Sequence, residues 1–149
     1  MRVVVQRVKY AKCIVSDKVT GQINEGLMLL IGFGKGDENA KLEKIPKMAK
    51  KIANLRIFED EAHKMNKSIK DAGGAILAIS QFTLYANPYE GNRPSFVDAL
   101  EPNLACELYH YFMDYLRTTF AIKVEEGIFG ADMALDICCD GPVTINLEY

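Results

Sequence analysis

The sequence predicts an α+β fold: one curved, mostly antiparallel, barrel-like β-sheet carrying two main helices. Three observations predict it. Leu27–Phe33 is continuously apolar, and so is Ala75–Ile79, which opens a second buried strand over Ala75–Phe82, as strands covered on both faces are. One segment, Pro102–Thr119, repeats apolar residues at the three- and four-residue spacing of a helix. From Met133 to Leu147 the apolar residues alternate, which is the period of a half-buried strand.

Taken in order, Arg2–Val8 and Lys12–Val15 read as two strands, with turn residues at Asp17-Lys18 and Thr20-Gly21-Gln22 before the third strand. Gly32-Phe33-Gly34-Lys35-Gly36-Asp37 ends that third strand. A helical stretch follows over Asn39–Asn54, with Leu42, Ile45, Met48, Ala49 and Ile52 on its apolar side. Pro46 sets the start of its regular part, because proline fits a first helical turn and not a helix interior. Leu55–Phe58 reads as a short strand, Glu59–Gly74 as loop, and Asn87–Pro94 as a surface loop. The second helix presents Leu104, Leu108, Tyr111, Phe112, Tyr115 and Leu116 to the core. Beyond Lys123-Val124-Glu125, two strands place Met133, Leu135, Ile137 and Cys139 on one side and Asp132, Asp136 and Asp140 on the other, with Val143, Ile145 and Leu147 continuing past Gly141-Pro142. No linker or repeat divides the chain, so residues 1–149 form one domain.

Composition narrows the function. With 49% hydrophobic and 26% charged residues, the chain falls in the ordinary globular range. A net charge of −2 and a pI near 5.7 argue against coating nucleic acid by bulk charge. An RNA ligand would be held by a local patch or by its end. The longest apolar run, Leu27–Ile31, is too short to span a bilayer, which takes about 20 residues. Met1–Arg7 lacks the features of a signal peptide, so a cytoplasmic location is expected. Cys13, Cys106, Cys138 and Cys139 show no metal-ligand spacing and read as buried or half-buried free thiols.

Familiar catalytic motifs are missing. The chain has no nucleophile elbow and no zinc-binding pattern, and its two histidines, His63 and His110, read as a loop residue and a packed helix residue. The glycine loop at 32–37 lacks the spacing of a phosphate loop and reads as a turn. Lys44, Lys47, Lys50 and Lys51 read as a solvated helix face in preference to an RNA-phosphate surface. Ser80-Gln81-Phe82-Thr83-Leu84-Tyr85 is less ordinary. It places hydroxyls, a carboxamide and aromatic rings at the end of a buried strand, where backbone N–H groups lose their ladder partners and become available to an oxyanion. From pattern alone, that reading and simple strand-end capping weigh equally.

Seven strings in order bear on that choice: Gln6-Arg7-Val8, Asn54–Phe58, Lys64-Met65-Asn66, Ser80–Tyr85, Arg93-Pro94-Ser95-Phe96, Phe129–Met133 and Gly141-Pro142-Val143-Thr144. Through them the chain resembles the D-aminoacyl-tRNA deacylase family along nearly its full length. The resemblance implies a carboxylic ester hydrolase, acting as a homodimer without metal or cofactor. Its substrate would be tRNA charged with a D-amino acid or with glycine. By the same resemblance Ser80, Gln81, Phe82 and Thr83 line the pocket for the aminoacyl ester, and Phe129 and Met133 pack on the terminal adenine. Gly141 and Pro142, joined by a cis peptide, enter from the partner subunit and reject L side chains sterically, and Arg7 steadies that loop. The attacking group would be water assisted by the ribose 2′-hydroxyl, with Thr83 a nucleophile only if some base activates it. Cys139 stands where the family usually has Asn, so the loop's local support differs. Two alternatives stay open: a relative with a trans Gly-Pro that acts on small L-aminoacyl-tRNA, and a non-catalytic nucleic-acid-binding dimer.

Overall fold

The computed structural model describes residues 1–89 and 91–149; Glu90, in the loop expected at Asn87–Pro94, lies outside the described residues. Its elements are β1 (Arg2–Val15), β2 (Lys18–Ile23), β3 (Gly26–Gly32), α1 (Lys44–Asn54), β4 (Phe58–Glu59), β5 (Met65–Lys67), β6 (Ala75–Ser80), α2 (Pro102–Phe120), β7 (Val124–Glu126) and β8 (Ala134–Glu148). The fold is the expected α+β sheet with two helices.

β1 is the spine of the sheet. One edge pairs antiparallel with β3 through residues 2–8 and with β2 through residues 11–15; the other edge pairs with β8. β3 continues into β6 and β6 into β7, both in parallel. The sheet curls until β2 approaches β7. A Cβ at Gly21 would lie 2.6 Å from the Glu126 carbonyl oxygen, so the approach requires glycine there.

Apolar residues on both faces of β3 and β6 explain their continuous runs. Leu27, Leu29, Ile31, Ile76 and Ala78 join the large core under the helices, while Met28, Leu77 and Ile79 join a smaller cluster with Val8, Ala11, Cys13 and Ile23. α1 buries Ile45, Met48, Ala49, Ile52 and Ala53. α2 starts on a good cap: the Glu101 carboxylate accepts from the N–H groups of Asn103 and Leu104, and Pro102 opens the first turn.

Several expectations need correction. Arg2–Val8 and Lys12–Val15 are one continuous strand, and the turn after it is confined to Ser16 and Asp17. Both have positive φ (47° and 62°), as a tight two-residue hairpin demands, so Thr20–Gln22 fall inside β2. Leu42 precedes α1 and is 84% exposed. The α2 core face is rotated by part of a turn: Ala105, Tyr109 and Met113 are buried with Leu108, Phe112 and Leu116, whereas Tyr111 lies outside over Lys41. Leu55–Ile57 are not strand, and the loop expected over Glu59–Gly74 contains β5. The strand from Ala75 ends at Ser80 instead of Phe82. Ala134–Glu148 is a single strand, and Cys139 is exposed because residues 140–143 leave the ladder directly after it.

Candidate active site

At the end of β6, the Gln81 N–H makes the last ladder bond to the Ile31 carbonyl, at 2.7 Å. The chain then winds into one turn of 3₁₀-helix, Phe82–Tyr85. Two glycines make room for it. A Cβ at Gly32 would come within 2.8 Å of the Gln81 oxygen, and one at Gly34 within 2.0 Å of the Tyr85 ring. The glycine loop that the sequence marks as a turn is thus a platform for this segment. Asp37 completes the platform: nearly fully buried, it accepts from the Gly34 N–H at 2.8 Å and from the Tyr85 hydroxyl at 3.2 Å. It also pairs with the Met1 ammonium and with Lys44. Burial pushes the Asp37 carboxyl upward, but these hydrogen bonds and the ammonium charge outweigh it and leave it below the usual carboxylate range. Burial and the nearby Asp37 charge push the Tyr85 hydroxyl upward, so it stays protonated and donates.

The first N–H groups of a helical turn have no partner within the turn. Among the described residues, neither the Phe82 nor the Thr83 N–H finds another acceptor. The Thr83 hydroxyl is engaged by the Gln81 carboxamide. Phe82 is 57% exposed and meets Phe96 edge-on, with ring centroids 5.1 Å apart.

Beside this turn lies a pocket of about 270 Å³, near the lower end for small-molecule sites, about 300–1,000 Å³. Ser80, Gln81 and Phe82 form one wall, Phe129 and Met133 another, and Ile31, Phe33 and Ile79 contribute apolar surface. Tyr109 also lines it, with its ring 5.9 Å from Phe129 and its hydroxyl donating to the Ala78 carbonyl at 2.8 Å. Neither histidine lines the pocket.

Arg7, Gly141 and Pro142 lie elsewhere. The β1–β8 register passes from Gln6 opposite Thr144 to Val8 opposite Cys139, so residues 140–143 loop outward opposite Arg7 alone. Arg7 is buried beneath that loop. Its Nε contacts the Asp140 carboxylate at 2.9 Å and the Asp140 carbonyl at 3.3 Å, and its Nη1 donates to the Ile57 carbonyl. Gln6 braces the far side, donating to the Val143 carbonyl at 3.3 Å and accepting from the Thr144 hydroxyl. Gly141, at φ 115°, and Pro142 are exposed, and the peptide between them is cis. Within one chain the named residues therefore form two groups: Ser80, Gln81, Phe82, Phe129 and Met133 at the pocket, with Thr83 beside it on the turn, and Arg7, Gly141 and Pro142 at the projecting loop.

The D-Tyr-tRNA(Tyr) deacylase family model matches residues 4–148. The chain belongs to this family. Similar family proteins include the D-aminoacyl-tRNA deacylase of Fusobacterium nucleatum, 50% identical over 99% of this chain and 95% of that protein. That of Deinococcus deserti is 51% identical over 99% of each. Among solved structures, the c-Myc DNA Unwinding Element Binding Protein is similar at a TM-score of 0.91, with 39% identity over 100% of this chain and 99% of that one.

Sequence reasoning missed several residues now seen to support the two groups. Asp140 was readable only as an outward strand residue, because its contact with Arg7 depends on the β1–β8 register. Tyr109 was hidden by the choice of helix face. Gly32, Gly34 and Asp37 looked like turn formers, and nothing local reveals that they seat Tyr85.

Proposed function

We propose that the chain hydrolyses the ester joining a D-amino acid, or glycine, to the 3′-terminal adenosine of tRNA. The observation that carries this reading is a pocket lined by Phe82 and adjoined by Thr83, whose N–H groups are unpaired among the described residues, in a chain half identical throughout to D-aminoacyl-tRNA deacylases. Phe129 and Met133 supply an apolar face for the adenine. The ester carbonyl lies at the turn. Water adds to it, the developing oxyanion accepts from Phe82 and Thr83, and the bond between the carbonyl carbon and the ribose 3′-oxygen breaks. The water proton passes by way of the 2′-hydroxyl to the departing 3′-oxygen, giving free D-amino acid and tRNA. Removing one such donor typically costs about 2.7–4 kcal/mol in the barrier.

Thr83 does not act as a nucleophile in this scheme. Its hydroxyl is held by Gln81, and among the described residues no histidine or carboxylate hydrogen-bonds to it. An aminoacyl ester is labile enough for positioning and charge stabilisation to suffice.

Chirality is selected by the Gly141–Pro142 backbone of a second copy, reaching the α-carbon from the partner side. An L side chain collides with that main chain, a D side chain points away, and glycine has nothing to reject. The projection of the loop away from its own pocket, braced by Arg7, supports this reading, which requires a two-fold dimer with equivalent sites. The competing reading, a non-catalytic nucleic-acid binder, has the name of one solved relative behind it. Incubating the protein with D-tyrosyl-tRNA, L-tyrosyl-tRNA and glycyl-tRNA separates the two. Fast, absent and measurable release are expected in that order; no release from any of them, with tRNA still bound, favours the binder.

A further inference from the structure

α1 carries Lys44, Lys47, Lys50 and Lys51 and no acidic residue, in a chain whose 20 acids outnumber its 18 bases. Lys44 and Lys47 are tied to Asp37 and Glu43. Lys50 and Lys51 are exposed, and among the described residues they have no carboxylate partner.

These lysines line a groove instead of an open helix face. Lys47, Lys50 and Lys51 border a groove of about 680 Å³ with Arg56 and Tyr149, and among the described residues no acidic side chain lines it. A second groove, of about 570 Å³, shares Tyr149 and ends against Tyr85, at the far side of the active-site turn. Arg2, Lys35, Lys44 and Tyr89 line it, with Tyr89 92% exposed. Of its acids, Asp37 is paired with Met1 and Lys44, and Glu148 with Arg2, leaving Asp98.

The two grooves share Tyr149 and, taken together, reach from beside the Phe82–Tyr85 turn to α1, whose Lys44-to-Lys51 stretch covers ~10 Å of helix axis. Cations strung along a groove, with exposed rings between them, suit a nucleic-acid end: the charges meet phosphates and the rings meet base faces. A merely solvated helix face accounts for lysines, but not for a lysine-lined groove, with no acid among its described lining residues, that adjoins a second groove reaching the active-site turn.

We propose that the two grooves form one track that holds the acceptor arm of the tRNA as it leaves the pocket, with Lys47, Lys50, Lys51 and Arg56 on phosphates and Tyr89 as a stacking surface. The inference rests on the deacylase reading above. It gives affinity for the tRNA body to α1, away from the reacting atoms, so these are positioning residues.

The test compares D-tyrosyl-tRNA with the D-tyrosyl ester of adenosine, using the paired substitutions Lys50→Gln and Lys51→Gln. Both side chains are exposed and, among the described residues, unpaired, so folding is expected to persist; a Lys50→Arg, Lys51→Arg pair is the control and should behave as wild type. On tRNA, kcat/KM should fall roughly tenfold through KM, and the plot of its logarithm against log salt should flatten by about 1.5, as for two lost phosphate contacts. The adenosine ester should be cleaved as before. Equal loss on both substrates overturns the track, and so does an unchanged rate on tRNA, the outcome expected if an acidic protein occupies the groove instead. Gel-shift binding of uncharged tRNA separates the two levels of the argument. Wild-type protein that binds tRNA but cleaves neither ester sinks the deacylase reading alone, while weaker tRNA binding by the Gln pair upholds the track and equal binding refutes it.

Discussion

Replacing Gly34 with alanine should misplace the Phe82–Tyr85 turn without altering a residue that lines the pocket. The added Cβ would lie 2.0 Å from Cε1 and 2.4 Å from Cδ1 of Tyr85. Carbon atoms at rest sit about 3.5–4.0 Å apart, so the ring has to withdraw by about 1.5 Å or more. Retreat is resisted, because the Tyr85 hydroxyl is held by Asp37 and its ring lies under Arg2, 4.5 Å from the guanidinium. Overpacking of this kind costs about 1–3 kcal/mol of stability. Tyr85 closes the same turn that Phe82 and Thr83 open, so the displacement passes to the proposed oxyanion donors, and a misplacement of about 1 Å costs on the order of 100-fold in rate. The assay is urea unfolding beside single-turnover release of D-tyrosine from D-tyrosyl-tRNA. The variant should fold with a lowered midpoint and turn over on the order of 100-fold more slowly. Adding Tyr85→Ala, which removes the obstructed ring, should recover part of the rate. A wild-type rate in Gly34→Ala would refute the claim that this platform positions the donors.

Other outcomes follow from the same geometry. Thr83→Ala should keep appreciable deacylase activity, since its N–H persists; complete loss in a well-folded variant that still binds tRNA would count for a covalent route. Asp37→Asn should destabilise the fold by about 3–5 kcal/mol, as breaking a buried ion pair does, read by chemical denaturation. Because the Asp37 carboxyl titrates lower folded than its ordinary 3.8, its contribution is fully present above that value and is lost as pH falls through the lower folded one. Stability followed from pH 7 into strong acid should therefore fall less steeply in Asp37→Asn than in wild type. Arg7→Ala removes the brace under residues 140–143 and should cost about 2–3 kcal/mol. It should also lower the ratio of D- to L-tyrosyl-tRNA cleavage more than it lowers the D rate, and a preserved ratio would release Arg7 from any part in selection.

Much of the fold was legible because local pattern and burial agree in it. Leu27–Ile31 and Ala75–Ile79 are apolar throughout and do lie between two apolar layers. The helix boundaries follow Pro46 and Pro102, whose missing N–H groups cost nothing in a first turn. The misreadings sit where a nonlocal contact decides. Tyr109 and Tyr111 differ by two positions on α2, and only the packing against β6 and Phe129 shows which is inside. Ser80 looks continuous with Phe82, yet the strand stops because the segment must fold over Gly32 and Gly34. The site residues could be named from the sequence by resemblance, but their division into a pocket group and a projecting loop depends on the β1–β8 register, which no short string encodes.

The central claim is that one chain's loop guards the other chain's pocket, and mixing two variants tests it most directly. One variant carries Gly141→Ala and Pro142→Ala, keeping the pocket but losing the guard, and should cleave L-tyrosyl-tRNA as well as D. The other carries Phe82→Pro, which deletes an oxyanion donor and leaves the loop intact. After exchange with an excess of the second, inactive chain, the first should stop cleaving L-tyrosyl-tRNA while still cleaving D-tyrosyl-tRNA. L cleavage that persists undiminished in the mixed dimers, or a guard variant that rejects L as wild type does, would contradict the account.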